Sequence, residues 1–322
     1  EEMLITLTHQ GYIKRLPLDT YHSQGRGGKG VIGHTTREND FIEQVFISST
    51  RDKLLFFSTS GKVYPLKVYE IPEASRQAKG TAIVNLLPLG SGERITSVFS
   101  LAEYGENDYI VMATEKGIVK KSRLSEYAEA RRSGLIALGL VEGDELISVR
   151  RLCCDAEDNG DADSDDGIAG DYHILLATSK GFLIRFPSEQ LRTLGRTARG
   201  VKGIALDEGD KVVGMNIVAR EKMDLLFVTE KGYAKRTKLK NFRAQNRGGK
   251  GVIATKSGKH WGSLVNFIPV LKKEELITIS ARGQIIRAKI AEVPVQGRYA
   301  GGVTMIRLSP GDKVVNIALV TE

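Results

Sequence analysis

Ile110-Val-Met-Ala-Thr-Glu-Lys-Gly-Ile-Val-Lys-Lys-Ser-Arg123 holds the pattern on which the reading of this chain turns. Four apolar residues run into Thr114, two charged residues lead to Gly117, and a second apolar stretch ends in basic residues. Two such runs joined by a residue-glycine pair predict a tight β-hairpin, with glycine supplying the positive φ of a primed turn. The same register recurs six times. The turn glycines are Gly11, Gly61, Gly117, Gly181, Gly232 and Gly283, each preceded at three residues by Thr8, Ser58, Thr114, Thr178, Thr229 or Ser280. Four residues beyond them stand Arg15, Pro65, Lys121, Arg185, Arg236 and Arg287.

A second element follows each hairpin and closes on Gly30, Gly80, Gly134, Gly200, Gly251 or Gly302, at successive spacings of 50, 54, 66, 51 and 51 residues. Glycine-acid pairs at Gly92-Glu93, Gly143-Asp144, Gly209-Asp210 and Gly311-Asp312 open one more apolar run. About four strands per unit of this length predict an all-β, propeller-like ring of six blades, because radial repetition buries blade faces against their neighbours. The expected repeats are 1–50, 51–105, 106–170, 171–220, 221–270 and 271–322, in one closed domain.

The long spacing contains 155–171, which carries eight carboxylates and few apolar residues. Such a stretch is expected to be a disordered loop, since it buries too little surface to offset its ordering entropy. It does not fit a calcium loop, having Asp166 where glycine is needed and Tyr172 where glutamate is needed. The whole chain is formally +8, yet without that stretch 31 acids face 47 basic residues, an excess of +16. A polyanionic partner is therefore favoured over an acidic small substrate.

The closing elements carry the candidate chemistry. They read Arg26-Gly-Gly-Lys-Gly30, Arg76-Gln-Ala-Lys-Gly80, Ala130-Arg-Arg-Ser-Gly134, Arg196-Thr-Ala-Arg-Gly200, Arg247-Gly-Gly-Lys-Gly251 and Arg298-Tyr-Ala-Gly-Gly302. Small residues between cations let a backbone approach a phosphate, and repetition round a ring would make a basic belt matched to a continuous phosphate track. The candidate DNA contacts in these elements are Gln24, Arg26, Gly27, Gly28, Lys29, Gly30, Arg76, Lys79, Arg131, Arg132, Arg196, Arg199, Arg247, Lys250 and Arg298. From the hairpins come Lys14, Arg15, Lys120, Lys121, Arg185, Lys235, Arg236 and Arg287. Contacts of this kind position duplex DNA without reading bases.

Competing chemistries fail on spacing. Gly25-x-Gly27-x-x-Gly30 precedes a strand-like run rather than the helix of a dinucleotide site, and a P-loop would need glycine at Ser23 and Ser or Thr at Gly30. The five histidines lack metal-ligand spacing, Trp261 reads as a packing anchor, and no catalytic grouping emerges. Adjacent Cys153 and Cys154 suit neither a disulfide framework nor a zinc pair, which fits a reducing cytoplasm. No apolar run approaches the length of a membrane helix, and a chain starting Glu1-Glu2 reads as a fragment of something longer.

Leu4-Ile-Thr-Leu-Thr-His-Gln-Gly-Tyr-Ile-Lys-Arg15, followed by Gln24-Gly-Arg-Gly-Gly-Lys-Gly30, resembles the C-terminal domain of bacterial DNA gyrase A along essentially the whole chain. Gly25 stands where that family's box usually has a first Arg, and Gln245 to Gly251 is similar to a second copy. The resemblance implies a six-bladed β-pinwheel whose blades exchange strands and which wraps double-stranded DNA positively, so that the whole enzyme introduces negative supercoils. It implies partnership with the rest of gyrase A and with gyrase B in an A2B2 holoenzyme, a bacterial, nucleoid-associated location, and an isolated domain that is monomeric and makes no membrane contact. It also places the catalytic tyrosine and the ATPase outside this chain, which should be inactive alone; ATP and Mg²⁺ belong to the whole enzyme and no cofactor to this domain. The related domain of topoisomerase IV is the alternative within the family, against which the intact Arg26 to Gly30 box argues, and a propeller-type protein-interaction scaffold is the alternative from another class. The acidic stretch is expected to compete with DNA for the basic rim. Deleting 155–171 should therefore tighten DNA binding in an anisotropy titration at fixed salt, and unchanged affinity would remove the idea.

Overall fold

Thr114 and Gly117 show why the repeat is written as it is. The Gly117 N–H donates to the Thr114 carbonyl at 3.0 Å, while the Thr114 hydroxyl accepts the next N–H, that of Ile118, at 3.2 Å. Thr8 with Gly11 and Tyr12, and Thr178 with Gly181 and Phe182, repeat both bonds. The glycine is thus the fourth residue of the turn, with φ of +84° at Gly117, rather than a central residue of the primed turn expected from sequence. Its position also demands closeness: a Cβ on Gly181 would lie 2.4 Å from the Thr255 carbonyl oxygen. Beside this Thr or Ser the pairing register shifts in every blade, because the strand that pairs with the first hairpin strand on its other side carries one extra residue, such as Glu43, Ile147 or Val213.

The computed structural model describes residues 1–17, 40, 42–75, 77–101, 107–153, 172–219, 222–271, 274–282 and 284–320. The expectations attached to Gln24, Arg26, Gly27, Gly28, Lys29, Gly30, Arg76, Cys154 and 155–171 lie outside the described residues. Within them the chain is all-β apart from one-turn 3₁₀ segments such as Leu124–Tyr127, and it forms six antiparallel sheets. Blade 3, for example, runs Leu146–Cys153, Asp108–Thr114, Ile118–Arg123 and Val201–Lys202 from one edge to the other. The last of these strands comes from the following repeat. The same exchange places Thr81–Ala82 in blade 1, Leu135–Ile136 in blade 2, Val252–Ile253 in blade 4 and Val303–Thr304 in blade 5. Blade 6 has three strands among the described residues, Val314–Val320, Glu275–Ser280 and Ile285–Lys289.

Each neighbouring pair from blades 1 and 2 to blades 5 and 6 encloses its own apolar core. Between blades 2 and 3, Phe57 meets Tyr127 and Phe99 edge-on at 5.6 and 5.8 Å; between blades 4 and 5, Phe227 stacks on Phe267 at 6.0 Å. Burying one such ring contributes roughly 1.5–3 kcal/mol. Polar bonds fix the rotation of each blade on the next: the turn carbonyls of Thr59, Glu115, Ser179 and Glu230 accept the N–H of Leu146, Val212, Leu264 and Val314 at 2.8–2.9 Å. The circle is completed by Asn316 of blade 6, whose amide donates to Glu43 of repeat 1 at 2.8 Å. The last long strand of each repeat, such as Leu146–Cys153 and Val314–Val320, lines a central cavity of about 960 Å³. The exchanged strands, and the closing elements that precede them, therefore lie on the outer edge.

Candidate nucleic-acid interface

Lys14, Lys120 and Lys235 occupy the third position after the turn glycine in repeats 1, 3 and 5, and all three are buried. Lys120 Nζ donates to the carbonyls of Ala137, Gly195 and Arg196 at 2.6, 3.3 and 2.5 Å. Lys14 holds Ser75 and Ala78 at 3.0 and 2.9 Å, and Lys235 holds Gly297 and Arg298 at 2.8 Å each. Each ammonium thus clamps the closing element of the next repeat onto its own blade, and none is open to a phosphate. This corrects the expectation that these lysines grip DNA: sequence shows the charge but not the strand face that carries it. Burial pulls Lys14 and Lys120 down to about 8 and Lys235 to about 7.

The residue one further on clamps the same partner by a different atom. Arg15 Nε donates to the Ile71 carbonyl at 2.6 Å, Arg236 Nε to Val293 at 2.8 Å, and Arg185 Nη1 to Phe242 at 3.2 Å. Arg185 and Arg236 are buried, and Arg236 also pairs with Asp224 at 3.1 Å. These arginines too are fasteners rather than rim contacts. Lys121 lies over Tyr109, and the more exposed Arg287 faces Glu275 at 3.7 Å.

The closing elements form the edge itself, and their arginines link them in series. Arg196 Nη1 reaches the Ile136 carbonyl at 2.8 Å, Arg247 Nη1 the Lys202 carbonyl at 3.1 Å, and Arg298 Nη1 the Ile253 carbonyl at 3.4 Å. Each bond runs from one loop to the exchanged strand before it. These half-buried arginines shape the belt and leave part of their surface outward. In Arg247-Gly-Gly-Lys-Gly251 the Gly248 N–H is donated to the Gly203 carbonyl at 2.7 Å, so it is not a free phosphate donor as the sequence suggested. Gly251 is required by contact, since a Cβ there would lie 2.5 Å from the Leu183 carbonyl oxygen.

The exposed cations stand at the next positions. Arg131, Arg132, Arg199 and Lys250 all face solvent, Arg132 beside Glu70 at 2.8 Å and Lys250 beside Asp207 at 2.7 Å. The Lys250 hydrogen bond holds the Asp207 carboxyl below its usual range. Lys250 also sits 4.8 Å from the centre of the Phe182 ring, and half-buried Lys79 3.6 Å from that of Tyr12. An aromatic residue directly after the turn glycine therefore serves as the seat for a rim lysine. Sequence reasoning missed that relation, although Tyr12 and Phe182 share one register. It also missed exposed Lys202, Lys256 and Lys259. Among the described residues no cluster of three or more His, Cys, Asp or Glu could hold a metal, and no helix is long and apolar enough to cross a membrane.

The profile of the family described as DNA gyrase C-terminal domain, beta-propeller matches residues 2–49, 52–102, 108–153, 172–219, 224–270 and 274–321, one stretch per repeat. The chain belongs to this family. The DNA gyrase A protein of Staphylococcus aureus (strain MRSA252) is 43% identical over 324 residues, covering 100% of this chain and 35% of that protein. The chain thus spans about a third of the length of the curated relatives it matches. A solved structure of a DNA gyrase A C-terminal domain superposes with a TM-score of 0.71 at 28% identity, covering 99% of each chain. The C-terminal domain of DNA topoisomerase IV superposes with a TM-score of 0.84 at 23% identity, covering 100% of this chain and 94% of the other, which speaks to the fold alone.

In this gyrase-family ring, clamp and rim cations should separate in experiment. Lys120→Met keeps the apolar stem and strips three carbonyls of their donor, so it should lower unfolding free energy by about 2–3 kcal/mol in chemical denaturation. Lys235 adds a pH signature. Below pH 7 both folded and unfolded states hold its proton and the full burial penalty applies; between about 7 and 10 only the unfolded state keeps it, so stability rises with pH. Wild type should gain stability over Lys235→Met between about pH 6.5 and pH 9. A flat difference would mean that the amine is not taken from water as the geometry indicates.

Proposed function

We propose that the ring binds duplex DNA along its outer edge and bends it, without reading sequence. The observation that carries this reading is the series of closing elements, joined through Arg196, Arg247 and Arg298 and bearing the exposed cations Arg131, Arg132, Arg199 and Lys250. A continuous edge of cations suits a phosphate track, whereas an enclosed ligand would call for convergent groups. Family membership supports it independently. Bending 20–30 base pairs costs on the order of 1–6 kcal/mol, and charge-assisted bonds of about 1.5–3 kcal/mol each offset it once several loops engage.

Phosphates would be held by the rim guanidinium and ammonium groups, while the buried lysines keep the loops of repeats 2, 4 and 6 at fixed radius and height. In a complete gyrase the wrap would be positive and would favour negative supercoiling, with gyrase B and the remainder of gyrase A as partners. Catalytic tyrosine and ATPase would lie outside this chain, which would act as an accessory domain. Gln24 to Gly30 is proposed as a further contact on the strength of its box sequence.

The test is topological. Nicked circular DNA is saturated with the domain, ligated and deproteinised, and its linking number is measured. A positive shift that grows with protein is expected. The pair Arg199→Ala and Lys250→Ala should diminish the shift and reduce the slope of log affinity against log salt by about two, one per lost phosphate contact. Tight binding with no shift would overturn wrapping and favour a scaffold or tether.

A further inference from the structure

Repeat 5 departs from most of its siblings at one place. In repeats 1, 3, 4 and 6 a carboxylate accepts the backbone N–H just before the turn glycine: Asp40 from Gln10 at 3.0 Å, Asp144 from Lys116 at 2.9 Å, Asp210 from Lys180 at 3.0 Å and Asp312 from Arg282 at 3.2 Å. In repeat 5 the corresponding N–H, that of Lys231, goes to the Trp261 carbonyl at 3.3 Å. The loop that provides it is Lys256-Ser-Gly-Lys-His-Trp-Gly262, closed by paired backbone bonds between Gly258 and Gly262. The turn is satisfied either way, so the fold does not require the exchange of an acid for two lysines and two aromatic rings.

A second departure makes room for the first. The residue before the closing glycine is a cation in repeats 1, 2, 4 and 5, as Lys29, Lys79, Arg199 and Lys250, but in repeat 6 it is Gly301. A Cβ there would fall 2.1 Å from Trp261 Nε1, so the indole fills the space. His260 packs edge-on against Trp261 at 4.7 Å and lies 5.3 Å from Tyr233, the residue that shares its register with the lysine seats Tyr12 and Phe182. Lys256 stands 5.0 Å from the indole centre. In the same closing element Tyr299 is 64% exposed, with the Arg298 guanidinium 5.1 Å from its ring. Glu230, the neighbouring acid, is engaged by the Ser263 N–H at 3.0 Å and by Lys313 at 3.6 Å.

We infer that this cluster is a DNA contact of a second chemical kind, in which Trp261 and Tyr299 meet sugars and base edges in the minor groove while Lys256 and Lys259 take the flanking phosphates. The inference rests on the reading of the rim as a duplex path. Its occupant is argued from charge and place: the cluster replaces an acid by cations and occupies a lysine seat on the outer edge. Aromatic surface gains nothing from a phosphate track but does gain from sugar faces and partly unstacked steps, where a bent duplex is opened. This would localise a kink at blade 5.

Trp261 is the single tryptophan of the chain, so its emission reports the site without any substitution. Titrating the folded domain with a mixed-sequence duplex should quench or shift that emission in step with binding followed by anisotropy of labelled DNA. Trp261→Ala should weaken binding roughly five- to tenfold with the salt slope unchanged, in contrast to the slope loss of Lys250→Ala. Trp261→Phe, which keeps a ring against Gly301, should recover most of the affinity. Saturating duplex that leaves the emission as it was, with Trp261→Ala binding like wild type, would overturn the inference and leave the rim reading standing. The same holds if emission responds only to the rest of gyrase A. Absence of duplex binding by the wild type would instead remove the rim reading and this site with it.

Discussion

The attachment of each closing element to the blade before it is the constraint on which the structure depends. A repeat gives its short fourth strand to its neighbour, and the ammonium of Lys14, Lys120 or Lys235 then holds two carbonyls of the donated segment from inside. Arg15 and Arg236 add a second fastening one residue later, and Arg185 fastens blade 4, where no lysine precedes it. Gly80, Gly200, Gly251 and Gly302, which end four of these elements, are pressed so near the partner backbone that even a methyl group would collide, and Gly134 is pressed as near the Tyr64 ring. Cutting one attachment loosens two blades, because the exchanged strand belongs to both.

That arrangement explains how irregular loops keep a regular edge. An isolated loop of small residues and cations would sample many conformations and lose much of its electrostatic gain to ordering. Here its carbonyls are held from below and its first arginine holds the loop before it, so the outward cations come pre-placed. The same residue types therefore do two jobs. Lysines on the inward face of the second hairpin strand are structural, and those before the closing glycine, seated on Tyr12 or Phe182, are available to a ligand.

The hairpins, their sixfold recurrence and the all-β class were legible because they are written locally: Thr114, two residues and Gly117 specify a turn wherever they occur. Strand exchange was not written in the spacing of residues, which counts strands but does not say to which sheet the residues after Gly134 or Gly200 belong; it came from resemblance. Burial was equally silent. Lys120 and Lys121 are neighbours of the same charge, yet alternation along a strand sends one into the body of the ring and leaves the other beside Tyr109. Hence the candidate interface read from sequence mixed fasteners with outward-facing cations. The Trp261 loop was passed over as packing, since the missing acid of repeat 5 acquires meaning only when the other acids are seen to satisfy a turn.

The central claim is that the outer edge bends the duplex it binds. It is tested most directly by energy transfer between dyes at the two ends of a duplex longer than the rim can contact while straight. The account predicts that transfer rises as the domain saturates the DNA and falls back as salt releases the rim. Saturated binding with the end-to-end distance of free DNA would contradict it.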